Sequence, residues 1–302
     1  MIPRASKVTV RDLADHLTNE YAANQRRSGE RLRFSLAHLL PVFGVRRAVH
    51  VTAAEIDAYK AQRLAEGAAN ATINRELAAL KRMYSLAVQG ERIPSGPHIA
   101  MLRESNTRSG FFERDQFEAI RRRLPEEIRP VVTFAYVTGW RTQSEVLTLQ
   151  WRQIDFDAGT VRLDPGTTKN GEGRMFVMTP ELRECLLAQR AITEKYQREH
   201  DKIVSHVFHR ASQPIKSFRN AWKTACAYLG LTGRIPHDFR RTAVRNLERA
   251  GVSRSTAMKM TGHKTEAVYR RYAIVSEQDL REAATKLALY GKGVKDQLFA
   301  GR

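Results

Sequence analysis

Four short segments between residues 138 and 272 hold side chains suited to chemistry on an anionic oxygen. They are the stretch around Arg141, a Thr-Lys-Asn-Gly turn at 168–171, a Pro-His-Asp-Phe-Arg stretch at 236–240, and a Gly-His stretch leading to Tyr272. Guanidinium groups bind anionic oxygens through paired hydrogen bonds, and an activated phenol is a nucleophile. Each segment alone is weak evidence, because a short motif needs a matching context. The candidate side chains are Arg141, Lys169, His237, Arg240, His263 and Tyr272, with Glu145 as a supporting carboxylate.

The charge balance indicates what kind of molecule these side chains meet. Lys and Arg total 51 and Asp and Glu total 32 in 302 residues, which gives a formal net charge of +19. An excess of this size predicts a polyanionic partner, and nucleic acid is the first candidate. No stretch approaches the roughly 18 unbroken apolar residues that a membrane-spanning helix needs. Two cysteines cannot form a disulfide framework and fit a reducing compartment.

Residues 8–90 are predicted to contain helices only. Apolar residues recur at helical spacing in four stretches, which begin near Thr9, Glu30, Thr52 and Asn70. Thr52 and Glu55 form a capping box, and Asn70 is predicted to cap the fourth helix. Arginines and lysines occupy the opposite faces of these helices. They form either a solvated surface or a surface that faces phosphates.

Residues 91–112 contain Pro94, Gly96 and Pro97 and lack a sustained period, so they are predicted to be a linker. The following region mixes helices and strands. Thr142–Gln153 is predicted as one helix, Ile154–Phe156 and Thr160–Leu163 as a hairpin, Gly166–Lys169 and Arg174–Met178 as a second hairpin. Val204–His209 is predicted as a short strand, and further helices follow to residue 289. The expected fold is therefore mainly α with a small β-sheet.

In this order, and after a basic helical region, the four segments resemble the tyrosine recombinases of the bacteriophage-integrase family. The resemblance covers about residues 8–290, and residues 71–87 resemble part of the family's core-binding domain. It implies an all-helical, SAM-like DNA-binding domain at 1–90, an α+β catalytic domain at 113–275 and a helical tail at 276–302. In the family's pattern, Arg141 matches the first catalytic arginine, Lys169 the hairpin lysine, and His237 and Arg240 the His-x-x-Arg pair. His263 matches the Gly-His position and Tyr272 the nucleophile nine residues beyond it.

The chemistry that the resemblance implies fits these residue types. Negative charge accumulates on a phosphodiester at its transition state, and preorganised cations such as Arg141 and Arg240 stabilise it. His263 would donate a further hydrogen bond. A tyrosine needs a base or a positive field to become a nucleophile, and His237 is the candidate to take the proton of Tyr272. Lys169 would protonate the leaving 5′ oxygen as a general acid. No metal or cofactor is required.

Two positions need comparison with the family's pattern. Tyr269 lies three residues before Tyr272 and shares its helical face, so it competes for the role of nucleophile; the family spacing selects Tyr272. In the family an acidic residue usually follows the first arginine by three positions, whereas Glu145 follows Arg141 by four. Glu145 could still brace the cations of the site, or could be an exposed helix charge.

The function implied is site-specific DNA recombination by a phage or mobile-element integrase, through a 3′-phosphotyrosine and a Holliday junction. The alternatives are a chromosome-dimer resolvase of the same family, a type IB topoisomerase, or a non-catalytic DNA-binding regulator. The expected partners are double-stranded DNA, three further copies of the chain in a tetramer on DNA, a DNA-bending host factor and a directionality factor, without a membrane. The expected location is the cytoplasm of a bacterial host, at the nucleoid. The tail, with Leu280, Ala284 and Leu287 on one face, is a candidate contact between protomers.

Overall fold

The computed structural model describes residues 5–26, 28–104, 110–168 and 171–272, and residues 280, 281, 284, 285, 287 and 288 of the tail. The chain divides into two compact units, Met1–Thr107 and Arg108–Arg302. Among the described residues, no helix combines the length and the apolar character needed to cross a membrane.

The first unit is helical, as predicted. Its helices are α1 (Val10–Ala23), α2 (Gly29–Phe43), α3 (Ala53–Ala65) and α4 (Asn70–Gln89), with 3-10 turns at Ala5–Lys7 and Ala48–His50. Their apolar faces form one buried core, and the capping box of Thr52 and Glu55 begins α3. The prediction that Asn70 caps α4 is wrong, because Asn70 is the first residue of the helix and Ala69 precedes it in an extended conformation. The Asn70 amide donates instead to the carbonyl of Arg103.

The predicted linker at 91–112 is too long at both ends. Ile93 and Ile99 are buried in the core of the first unit, and the Asn74 side chain both accepts from Leu102 N–H and donates to Leu102 C=O. Phe112 is buried in the second unit, where its N–H donates to Thr242 Oγ1 at 2.9 Å. The linker is shorter than predicted because each unit buries the apolar residues of this stretch that lie nearest to it in the sequence.

The second unit surrounds a large apolar core with helices and a small sheet. Its helices are α5 (Arg114–Arg123), α6 (Arg129–Thr138), α7 (Pro180–His200), α8 (Arg219–Tyr228), α9 (Asp238–Arg249), α10 (Arg254–Thr261) and α11 (Glu266–Tyr269). Short 3-10 turns lie at Glu126–Ile128 and Trp151–Gln153. The strands are β1 (Ile154–Asp155), β2 (Thr160–Leu163), β3 (Arg174–Val177), β4 (His209–Arg210) and β5 (Gln213–Pro214). The prediction of a mainly helical fold with a small sheet is confirmed.

The sheet is antiparallel in the order β1-β2-β3, with Val161 opposite Phe176, and β4 pairs with β5. The first predicted hairpin is therefore present. The second joins β2 to β3, and the prediction of a strand at Gly166–Lys169 is wrong for the described residues 166–168. Pro165 lacks an N–H for a ladder, and Gly166 has a positive φ of 82°, so the chain turns there.

Two other element predictions are also wrong. Thr142–Gln153 is not one helix, since a π-helical turn at Thr142–Val146 is followed by irregular backbone and the 3-10 turn at Trp151. Val204–His209 is not one strand. His206 forms an isolated bridge with Gln150, and β4 begins only at His209. The Leu149 carbonyl and the Trp151 N–H form hydrogen bonds with the backbone of the 204–209 stretch. Neither group is therefore available to continue a helix.

Candidate active site

The site lies where the end of α6, the start of α9 and the α10–α11 connection meet. Gly139 ends α6 in a left-handed conformation with φ 65°, and a Cβ there would lie 2.7 Å from the Ala243 side chain on α9. This close approach lets the carbonyl of Gly139 accept a hydrogen bond from Arg240 Nη1 at 2.9 Å. The glycine of the Thr-Gly-Trp segment therefore brings the chain that carries Arg141 onto the helix that carries Arg240.

The π-helical turn explains the four-residue spacing between Arg141 and Glu145. Val146 N–H and Leu147 N–H each donate to the carbonyl five residues earlier, at 3.1 and 2.9 Å. A π turn contains one more residue than an α turn. Glu145, four residues after Arg141, therefore lies within hydrogen-bonding distance of it. The Glu145 carboxylate accepts from Arg141 N–H at 2.8 Å and from Arg141 Nη1 at 2.6 Å. Glu145 is thus a buried partner of the first arginine and not an exposed helix charge.

A second arginine shares this carboxylate. Arg174, the first residue of β3, donates to both oxygens of Glu145 at 2.9 and 3.1 Å. Its Nη1 also donates to the carbonyl of Thr261 at 2.9 Å. Arg174 is almost fully buried, with 5% of its side chain exposed. It is not among the candidates from the sequence, where its position predicts only a strand residue.

Arg240 and His263 form a buried hydrogen-bonded pair. Arg240 Nε donates to His263 Nε2 at 3.1 Å, and Arg240 Nη2 lies 3.4 Å from the carbonyl of Gly262. Arginine cannot accept a hydrogen bond, so His263 Nε2 is the acceptor and the proton of the ring is on Nδ1. His263 Nδ1 lies 2.7 Å from Thr261 Oγ1, which in turn donates to the carbonyl of Ala257.

This chain of hydrogen bonds fixes the tautomer of His263. Burial lowers the pKa of His263 to about 3, with further lowering by the charges of Arg240 and Arg141. The neutral ring therefore accepts from Arg240, whereas the sequence predicts a donor to phosphate. Donation from Nε2 would require a different tautomer. Burial and the charge of Arg141 also lower the pKa of Arg240.

Tyr272 lies beside both histidines. Its phenol oxygen is 3.3 Å from His237 Nε2, and its ring centroid is 4.8 Å from that of His263. The guanidinium carbons of Arg240 and Arg241 each lie 5.6 Å from the centre of the Tyr272 ring. The phenol is therefore in a positive field and within reach of a base.

His237 has the protonation state that a base requires. Burial lowers its pKa, the charges of Arg240, Arg241 and Arg141 lower it further, and that of Asp238 raises it. An imidazole with a lowered pKa is neutral at pH 7 and can accept a proton.

Tyr269 occupies a different environment. It is fully buried and packs with Val244 and Ala257. Burial, with a contribution from Glu248, raises the pKa of Tyr269 to about 12. A buried phenol with a raised pKa is a poor nucleophile. Of the two tyrosines, Tyr272 is the one placed against the cations and His237.

The structure thus brings Arg141, Glu145, His237, Arg240, His263 and Tyr272 into one site, and adds Arg174, Thr261 and Arg241. Lys169 lies outside the described residues. A sequence signal for Thr261 exists, since it precedes His263 by two residues. No group of three or more His, Cys, Asp or Glu side chains suited to a metal ion occurs in the part of the chain that the structure describes.

Comparisons with known proteins show sequence similarity to one family. The sequence model of the phage integrase family matches residues 111–279. The integrase of Salmonella phage P22 is 24% identical over 233 residues, which are 75% of this chain. The matched region is 60% of the phage protein, so the chain spans less than two thirds of that relative.

Solved structures share the fold. A lambda integrase dimer bound to a COC′ core site superposes with a TM-score of 0.74 at 17% identity, covering 88% of this chain and 96% of that chain. A lambda integrase tetramer bound to a Holliday junction gives a TM-score of 0.66 at 18% identity, over 86% of this chain and 78% of that chain.

Proposed function

The chain belongs to the phage integrase family, and from this premise we propose that it is a site-specific DNA recombinase of a phage or mobile element. It breaks and rejoins DNA strands through a covalent bond between Tyr272 and a 3′ phosphate. The observation that carries the proposal is the placement of the Tyr272 phenol 3.3 Å from His237 Nε2, beside Arg240 and Arg241. A protein that only binds DNA has no need of a neutral base beside a tyrosine in a field of arginines.

In the cleavage step, the Tyr272 oxygen attacks phosphorus as its proton passes to His237 Nε2. The phosphorus–5′ oxygen bond breaks, and Lys169 supplies a proton to the leaving oxygen. Three of the five N–H groups of Arg240 bind Gly139, Gly262 and His263, which leaves one on each terminal nitrogen for a non-bridging phosphate oxygen. Rejoining is the reverse, with a 5′ hydroxyl of another strand as nucleophile. Because the phosphodiester free energy is kept in the phosphotyrosine, no ATP is needed.

Recombination of two duplexes requires four strand cuts, so the proposed assembly is a tetramer on a four-way junction. The lambda integrase tetramer on a Holliday junction supports this proposal through its shared fold. The net charge of +19 opposes association of free protomers, so assembly would occur on DNA. A DNA-bending host factor and a directionality factor remain proposed partners, and the proposed location is the bacterial cytoplasm at the nucleoid.

Covalent capture on duplexes of random sequence tests the function and finds the target site at the same time. The protein is incubated with a pool of duplexes that carry a random core and a central nick, so that cleavage releases a short fragment and prevents rejoining. Adducts that survive denaturation are isolated, their DNA is sequenced and the modified peptide is mapped. We expect adducts at Tyr272 and an enriched sequence. Absence of adducts, or adducts at Tyr269, would overturn the proposal.

A further inference from the structure

Arg174 joins parts of the second unit that lie far apart in the sequence. Its guanidinium group donates to both oxygens of Glu145, in the π-helical turn, and to the carbonyl of Thr261, at the end of α10. The same group lies 5.5 Å from the centre of a Trp140 ring. A planar guanidinium can make these contacts at once because its donors point in fixed directions.

The backbone around Thr261 is shaped to accept this side chain. Gly262 follows Thr261 with a positive φ of 72°, and a Cβ at Gly262 would collide with the Arg174 guanidinium. The adjacent residue is His263, the partner of Arg240. A glycine is therefore required here both by its dihedral angle and by the close approach of Arg174. The contact fixes the turn from which the His263 ring projects.

The charges around Glu145 give Arg174 a second effect. Glu145 is 1% exposed and lies between Arg141, with 22% of its side chain exposed, and Arg174, with 5% exposed. If Arg141 were the only cation beside it, the buried carboxylate would hold as many of the Arg141 donors as the geometry permits, because an unpaired buried charge is costly. Since Arg174 binds both carboxylate oxygens, Arg141 keeps donors that can turn toward a phosphate.

We propose that Arg174 is a positioning residue of the recombinase site, acting through Glu145 on Arg141 and through Thr261 on the His263 turn. The proposal rests on the function proposed above. Arg174 itself need not touch DNA.

The test uses the full chain and the nicked duplex enriched by covalent capture. The rate of adduct formation is measured in a single turnover at saturating protein, and the dissociation constant is measured separately. For Arg174→Met we expect a rate loss of roughly 10- to 100-fold with a nearly unchanged dissociation constant, as when a residue that orients a functional group is removed. Arg162→Met is the matched control, because Arg162 lies opposite Met175 on β2 of the same sheet and is exposed. It should cleave at the wild-type rate.

Two further variants separate positioning from folding. Arg174→Lys keeps the charge but loses the planar fork, so it should melt close to the wild-type temperature and still cleave at least about fivefold more slowly. Arg174→Gly leaves space for a guanidinium ion, and millimolar guanidinium chloride should restore part of its cleavage rate. An equal concentration of sodium chloride should not. Guanidinium chloride is a denaturant, so it would not restore the cleavage rate of a variant that is merely unfolded.

The outcomes are distinct. A wild-type chain that forms no adduct would overturn the proposed function and this inference together. If the wild-type chain forms adducts while Arg174→Met or Arg174→Lys cleaves at the same rate, only the positioning role is wrong. It is also wrong if Arg174→Gly loses activity through weaker DNA binding alone, or if guanidinium and sodium chloride act alike.

Discussion

The Nε2 atom of His237 lies 3.3 Å from the phenol oxygen of Tyr272, across 35 positions of sequence. Burial and three arginines lower the pKa of His237, so the ring is neutral at pH 7 and its Nε2 can accept the phenol proton. The same arginines stabilise the phenolate that forms. The base and two of the three arginines that activate the nucleophile therefore come from His237 and the first turn of α9, which begins immediately after it.

The two neighbouring tyrosines should behave differently when each loses its hydroxyl. Tyr272→Phe should abolish covalent adducts and leave DNA binding nearly intact, since only the nucleophilic oxygen is removed. Tyr269→Phe is the matched control, and it should form adducts at a rate within about threefold of the wild type, because that phenol is buried and its pKa is raised. Adduct formation on the nicked duplex measures both. Loss of adducts in Tyr269→Phe alone would contradict the assignment.

The cleavage rate should depend on pH through His237. Its folded-state pKa lies below the usual 6.5, so the neutral base is present at pH 7 and is lost only as the pH falls through the lowered value. The single-turnover rate should therefore be level near neutrality and decline at acidic pH. His237→Gln should be slower throughout and lack this decline. If the variant shows the same acidic decline as the wild type, another group is responsible for it.

The positions of Tyr272 and His263 could be predicted from the sequence because their spacing is local. The four-residue spacing between Arg141 and Glu145 marks an added residue, but the π turn that holds it could not be predicted, because Thr142–Gln153 has the apolar pattern of a continuous helix. Arg174 escapes sequence reasoning as well, since its partners Glu145 and Thr261 are 29 and 87 positions away. Contacts of that kind depend on how α10 packs against β3, which periodicity does not determine.

The tautomer of His263 should depend on the hydroxyl of Thr261. Thr261→Val keeps the shape but leaves the buried Nδ1–H without an acceptor, which costs about 1–3 kcal/mol of unfolding free energy. It should also slow cleavage. Without an acceptor for Nδ1–H, the ring would shift to the Nε2–H tautomer, whose proton would point at the N–H donor of Arg240 Nε. Thr261→Ser retains the hydroxyl and serves as the control. Thermal unfolding and single-turnover cleavage measure the two effects, and equal behaviour of Val and Ser would refute the tautomer argument.

Acid should destabilise the fold through His263. Its folded-state pKa of about 3 is below the usual 6.5, so below pH 6.5 the unfolded chain binds a proton that the folded chain does not. Stability from this group is therefore complete above pH 6.5 and declines as the pH falls toward 3. His263→Gln should show a smaller loss of unfolding free energy between pH 7 and pH 5 than the wild type. Parallel pH profiles would show that His263 titrates normally.

The exposed tail residues bear on assembly of the protein on DNA. Leu280 and Leu287 are 62% and 72% exposed, so both side chains are accessible to another protomer in the proposed assembly on DNA. Deletion of residues 276–302 should impair synapsis and recombination more than binding of one protomer to a half-site, measured by native gels of half-sites and full sites.

Ile203→Asp is a control for a change at an exposed apolar residue outside the tail, since Ile203 is 95% exposed, and it should recombine normally. Leu280→Asp with Leu287→Asp should reproduce the deletion if these two side chains form the contact. Normal recombination by the deletion variant, or a stable tetramer of the free protein, would show that the tail does not control assembly on DNA.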